Sequence, residues 1–121
     1  MVTGRVDDQL RALLQVHVAA TLHGQRQVID AWIDTAFNGG LVIPRTLIAE
    51  LGLRQESSTE AVLADGRTVA LETFGCYLDW FGETYHTQIA ASEGTYPLLG
   101  TQLLDGLRLA IDYDAKTVEL G

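Results

Sequence analysis

Gln27-Val28-Ile29-Asp30-Ala31-Trp32-Ile33-Asp34-Thr35-Ala36-Phe37-Asn38-Gly39-Gly40-Leu41-Val42-Ile43-Pro44 is the stretch on which the fold turns. Gln27 to Ile33 alternates apolar and polar residues with the period of a strand. The periodicity breaks over residues 34–40, where Asn38 and the paired glycines favour a tight turn. Leu41-Val42-Ile43 is a short apolar strand that Pro44 ends. Asp34 is therefore expected on a loop held between two core strands. Two readings of it are open. It starts a turn by accepting the N–H groups that follow it, or it is a carboxylate positioned for chemistry.

Upstream, Leu13 to Leu22 is mostly period two, and the turn His23-Gly24-Gln25-Arg26 pairs it with Gln27–Ile33 as a hairpin. Residues 1–9 are polar and expected to fray, with Asp8 available to cap a short turn. The domain expectation is a flexible segment over 1–12 and one domain over 13–121. Downstream, Pro44 fits the first turn of a helix with Leu47, Ile48 and Leu51 on one face and Gly52 at its stop. Residues 60–64 and 67–73 read as a hairpin around Asp65-Gly66. Residues 74–81 and 84–91 form the next, through Phe81-Gly82-Glu83. Tyr96-Pro97-Leu98-Leu99-Gly100 leads into a short helix, Thr101 to Leu104. Leu107–Tyr113 and Thr117–Leu120 close the chain as another hairpin. Many short strands with one or two brief helices predict an all-β barrel or sandwich.

Composition narrows the function classes. At 121 residues, 47% hydrophobic and 20% charged, the chain is expected to be one globular domain. Sixteen acidic residues against eight basic ones give a net charge of −8, which disfavours nucleic acid and anionic membranes as partners. No apolar run reaches the roughly 18 residues of a membrane span, and the N-terminus lacks a signal-peptide pattern. Cys76 is the sole cysteine, so no intrachain disulfide forms and a cytoplasmic location is expected. Its apolar strand context predicts a buried structural thiol.

Signatures of other chemistries are missing: there is no GxSxG, HExxH, CxxC or phosphate-binding loop. His17, His23 and His86 are scattered singly, so neither a metal nor a cofactor is expected. Among carboxylates, Asp30 and Asp34 lie about 13 Å apart along a strand, too far to share a proton. Glu72 and Asp79 offer no better local pair. A close dyad containing Asp34 needs a partner brought by folding or by a second molecule.

Three segments carry a resemblance to the retropepsin-like aspartic proteases, in particular their small bacterial single-domain members. Ile33-Asp34-Thr35-Ala36-Phe37-Asn38-Gly39 followed by Leu41-Val42-Ile43-Pro44 is similar to that family's Asp-Thr-Gly loop and the strand after it. Ala61-Val62-Leu63-Ala64-Asp65-Gly66-Arg67-Thr68-Val69 stands where the family carries its flap hairpin. Pro97-Leu98-Leu99-Gly100-Thr101-Gln102-Leu103-Leu104 resembles the apolar-apolar-Gly turn and short helix near its C-terminus.

The resemblance implies an acid-protease barrel and an aspartic endopeptidase that acts on peptides. Asp34 from each of two copies would form the catalytic pair, because this chain carries one such loop. Thr35 would hold the two loops in register and Ala36 would offer its carbonyl to substrate. Asp65-Gly66 would be the flap tip, and Leu98, Leu99 and Gly100 would support the catalytic loop. Phe37, Leu41 and Ile43 are expected in the core rather than in a substrate subsite. The chain departs from the family at Ala36, usually Gly, where a positive φ would cost about 1–2 kcal/mol. Asn38 and Thr101 replace an Asp and an Arg that form an ion pair in retroviral members. The terminal hairpin replaces a single interdigitating strand. The alternative is a catalytically inactive protease-like domain that binds peptides or dimerises.

Overall fold

The alternation around Asp34 survives folding. The computed structural model describes residues 1–62 and 65–121. Its strands are β1 (Val2–Val6), β2 (Ala12–Ala19), β3 (Gln27–Ile33), β4 (Leu41–Pro44), β5 (Arg54–Val62), β6 (Thr68–Trp80), β7 (Glu83–Ser92), β8 (Leu98–Leu99), β9 (Leu109–Asp112) and β10 (Thr117–Leu120). One helix, α1 (Arg45–Leu51), follows β4, and a 3-10 turn spans Thr101–Leu103. Chain neighbours along the sheet run β5-β6-β7-β4-β8-β3-β2-β1-β10-β9, and β6 also pairs with β2. That last pairing, His17 to Asp79 through Ala19 to Tyr77, closes β2-β3-β8-β4-β7-β6 into a barrel. Closure pairs both edges of these six strands and leaves β5 and β9 as the terminal strands of the sheet. The expected all-β barrel class is what the chain adopts.

β2 puts Ala12, Leu14, Val16 and Val18 on its core face and the exposed Gln15 and His17 on the other, and its main chain is paired on both edges, by β3 along its length and by β1 and β6 in turn. Leu14, Val18, Ile43, Ile89 and Leu99 are sealed from solvent inside the barrel. β10 carries Val118 and Leu120 into the same core. Among the described residues no polar or charged side chain is fully buried, so burying apolar surface is the main source of stability.

Four expectations are corrected. The N-terminal segment expected to be flexible contains β1, paired with β10 from Val2–Leu120 to Arg5–Thr117 and with β2 through Val6. Val6 is buried, and a Cβ on Gly4 would strike the Leu13 carbonyl oxygen; this strand exists by tertiary pairing, which five residues cannot signal locally. The turn after it is capped by Asp7, not Asp8: Oδ1 of Asp7 accepts the N–H groups of Gln9 (3.0 Å) and Arg11 (2.9 Å). The strands expected at 67–73 and 74–81 are one strand, β6, because β5 and β7 pair with successive, overlapping parts of it. Pro44 closes β4 and caps α1 instead of entering it, with φ −56° and ψ 140°.

The helix stop at Gly52 is as expected. Its φ is 70°, and the N–H groups of Gly52 and Leu53 return to the carbonyls of Ala49 and Ile48. The turn between β6 and β7 places Phe81 and Gly82 at φ 51° and 81°, the primed geometry of a two-residue hairpin. The Leu63 and Ala64 end of the expected strand lies outside the described residues.

Candidate active site

Asp34 follows β3 directly, and its loop is clamped from one side. β8 lies between β3 and β4, parallel to β3 (Trp32 to Leu98, Ile33 to Leu99) and antiparallel to β4 (Leu41 to Leu99). The Asp34 N–H donates to Leu99 O at 2.9 Å, and the Gly100 N–H to Gly40 O at 2.7 Å. Thr101 and Gln102 donate their N–H groups to Phe37 O (2.9 Å) and Gly39 O (3.1 Å). Segment 97–102 thus satisfies the main chain of a loop that would otherwise leave polar groups unpaired next to the core.

Gly100 is there because nothing larger fits. A Cβ would meet Phe37 Cδ2 at 2.5 Å and Phe37 O at 2.7 Å, besides the Gly39 carbonyl oxygen. Leu99 is fully buried, and Leu41 and Ile43 are core residues as expected. Phe37 is half-buried, its ring against Gly39. Leu98, Leu99 and Gly100 therefore stand together under the Asp34 loop.

The carboxylate has a defined orientation. Ala36 N–H donates to Asp34 Oδ1 at 3.0 Å, and Phe37 N–H donates to Asp34 O at 3.1 Å. This is the turn-starting arrangement that the residues alone allow. It also holds one carboxylate oxygen in place and leaves Oδ2 without a protein hydrogen bond among the described residues. Thr35 and Ala36 are exposed on the rim. Ala36 is not in the left-handed region: among the described residues the non-glycine positive φ values belong to Leu10, Phe81 and Lys116. The strain anticipated for alanine at position 36 is absent.

Charge separates Asp34 from its neighbours. Asp30 pairs with Arg5 (3.3 Å), Glu72 with Arg45 (2.7 Å) and Asp79 with Arg26 (3.0 Å). No basic side chain pairs with Asp34 among the described residues. Its surroundings are apolar instead: a cleft of about 330 Å³ is lined by Trp32, Ile33, Asp34 and Leu98. Trp32 is 39% exposed and packs edge-on against Tyr96 at 6.2 Å. The Arg11 guanidinium lies over both rings, 4.2 Å from the Tyr96 centroid, and is itself tied to Asp7 at 2.8 Å. Sequence reasoning passed over Trp32, Tyr96 and Arg11. The available signal was an aromatic on the polar phase of β3, two residues before Asp34.

Asp65 and Gly66 are placed at the tip of the β5–β6 hairpin. Gly66 has φ 87°, and Asp65 accepts the Arg67 N–H (3.0 Å) and Nε (2.6 Å). Neither residue lines the cleft beside Asp34, and no hydrogen bond among the described residues joins them to the 34–40 loop. One chain thus assembles Asp34, Thr35 and Ala36 with Leu98, Leu99 and Gly100.

No protein family model and no curated protein matches the sequence. Among solved structures the chain is similar to the EIAV protease complexed with the inhibitor HBY-793, with a TM-score of 0.55. The match covers 81% of this chain and 88% of that one, at 16% identity. A likeness at that identity is one of architecture, and the architecture shared is the retropepsin-like all-β barrel.

Proposed function

We propose that the chain is an aspartic endopeptidase that cleaves extended peptides as a homodimer. The observation that carries this reading is the state of Asp34: a carboxylate with no paired cation among the described residues, oriented by the Ala36 N–H on a clamped loop beside an apolar cleft. The likeness of fold to a retroviral protease supports it. One carboxylate is insufficient for the chemistry, so Asp34 of a second copy supplies the other. Two carboxyl groups in contact share one proton, because both cannot ionise at such short range. The ionised one takes a proton from a water whose oxygen attacks the peptide carbonyl carbon. The protonated one donates to the carbonyl oxygen, and proton return to the amine nitrogen accompanies C–N cleavage. Thr35 and Ala36 on the rim meet the second loop and the substrate main chain, Trp32 and Leu98 contact an apolar side chain, and the Asp65-Gly66 hairpin closes over the peptide. No cofactor takes part.

Asp34→Asn tests this. Asn keeps an oxygen for the Ala36 N–H, so the variant folds as the parent does, yet it cannot carry the shared proton. Cleavage of a peptide library, followed by mass spectrometry at mildly acidic pH, is expected in the parent and absent in the variant. Equal turnover in both would reject the assignment. Peptide binding without products in the parent would favour the inactive binding domain.

A further inference from the structure

The structure leaves one strand edge whose sequence is complementary to itself. β9 is the last strand of the sheet, paired with β10 on one side and with nothing on the other among the described residues. Arg108 and Gly121 exchange both main-chain bonds, Arg108 N–H to Gly121 O at 2.9 Å and Gly121 N–H to Arg108 O at 3.1 Å. In an antiparallel ladder such pairs alternate, so Ala110 and Asp112 also turn their main chain towards β10. Leu109 and Ile111 then point their N–H and C=O groups outward, unpaired. Their side chains lie on the core face, opposite Leu120 and Val118, and are only partly buried. Arg108, Ala110 and Asp112 share the other, exposed face.

We propose that β9 is the surface on which a second copy of this chain docks, by antiparallel pairing of β9 with itself about a twofold axis at Ala110. This rests on the reading that Asp34 needs a second copy. With Ala110 opposite its own copy, Leu109 opposes Ile111 of the partner subunit, and their outward N–H and C=O groups exchange bonds. The half-exposed Leu109 and Ile111 side chains cover one another. On the outer face Arg108 stands opposite Asp112 of the partner subunit, twice by symmetry. Sliding the register by two residues one way sets Arg108 opposite Ala110, and the other way opposite Asp114, which lies beyond the strand in the turn. The terminal strands β1 and β10 are already paired within the chain, so the contact adds a strand edge instead of exchanging termini. β9 also lacks the lysine or proline that usually blunts an exposed edge.

Ala110→Cys tests the register. A non-hydrogen-bonded antiparallel pair brings its Cα atoms to about 4.5 Å, within reach of a disulfide. Ala115→Cys is the control, a cysteine equally exposed but in the β9–β10 turn. Cys76 is buried and does not compete. Under mild oxidation Ala110→Cys should form a covalent dimer at least about tenfold faster than Ala115→Cys, because pre-association raises its local concentration. Arg108→Asp, which sets carboxylates opposite one another, should weaken dimerisation about fivefold or more in sedimentation. Equal cross-linking rates for the two cysteines overturn the pairing. If the parent is still a dimer, another surface holds it and the protease reading stands. That reading is decided separately, by whether cleavage is lost in Asp34→Asn.

Discussion

Gly100 donates its N–H to the carbonyl oxygen of Gly40 at 2.7 Å, and in doing so lays its own Cα against the chain reversal that carries Asp34. Its φ of −96° and ψ of 178° are extended values open to any residue. The need for glycine is therefore purely steric, since two of the nearest obstacles to a Cβ are backbone carbonyl oxygens. Gly100→Ala is expected to destabilise the fold by about 2–3 kcal/mol, through forced backbone shifts. Gly52→Ala has the opposite cause: open space around the new methyl but φ of 70°, for about 1–2 kcal/mol. Urea unfolding of both checks this, and only Gly100→Ala should also depress peptide cleavage.

Cys76 is expected to be inert in the folded protein. It sits at zero exposure in β6, and burial pushes its thiol up to about 11 against a small opposing effect of the Ala19 backbone. At pH 8 the thiolate, the reactive form, is scarce, and the sulfur is screened as well. A thiol reagent should label the native protein only at the rate of global unfolding, and label it at once in denaturant. Rapid stoichiometric labelling of the native state would contradict the packing around β6.

The parts of the site that were legible are those written locally. Ile33 to Pro44 shows a strand, a broken period and a strand again, and Gly52 and Gly66 occupy positive-φ turns where glycine is cheapest. What was illegible depends on residues far apart in sequence. β1 owes its existence to β10, more than a hundred residues on. The continuity of β6 depends on neighbours on both sides, and no turn residue marks the passage from Thr73 to Phe74. Asp30, Glu72 and Asp79 are as available as Asp34 in the sequence, and only folding brings Arg5, Arg45 and Arg26 beside them. Of these four, only the folded chain shows that Asp34 is the one without a paired cation among the described residues.

Acid should loosen the barrel seam where β2 meets β6. Asp79 accepts from Arg26 Nε at 3.0 Å and Thr84 Oγ1 at 2.7 Å. The Arg26 contact first, then the Thr84 hydroxyl, holds its carboxyl below the ordinary value of 3.8. A depressed folded value means the unfolded chain binds the proton more readily. The stabilisation is thus complete above the ordinary value and lost as pH falls through the folded one. Thermal midpoints should drop as pH is lowered below about 4, and Asp79→Asn should flatten that slope while lowering stability at neutral pH. An unchanged slope would remove Asp79 as its source.

Ala36→Gly separates backbone strain from substrate access. Ala36 lies outside the left-handed region, so glycine relieves nothing there and adds freedom to the unfolded chain. Stability is expected to fall by about 0.4–1 kcal/mol. Because the side chain is exposed on the rim beside Asp34, removing its methyl opens room for a peptide main chain. KM for an extended peptide should drop while kcat holds, since the Ala36 N–H that orients the carboxylate is a main-chain group retained in glycine. A variant more stable than the parent would reveal strain at position 36 and contradict its relaxed backbone. A variant with lower kcat would instead place the methyl itself among the groups that orient Asp34.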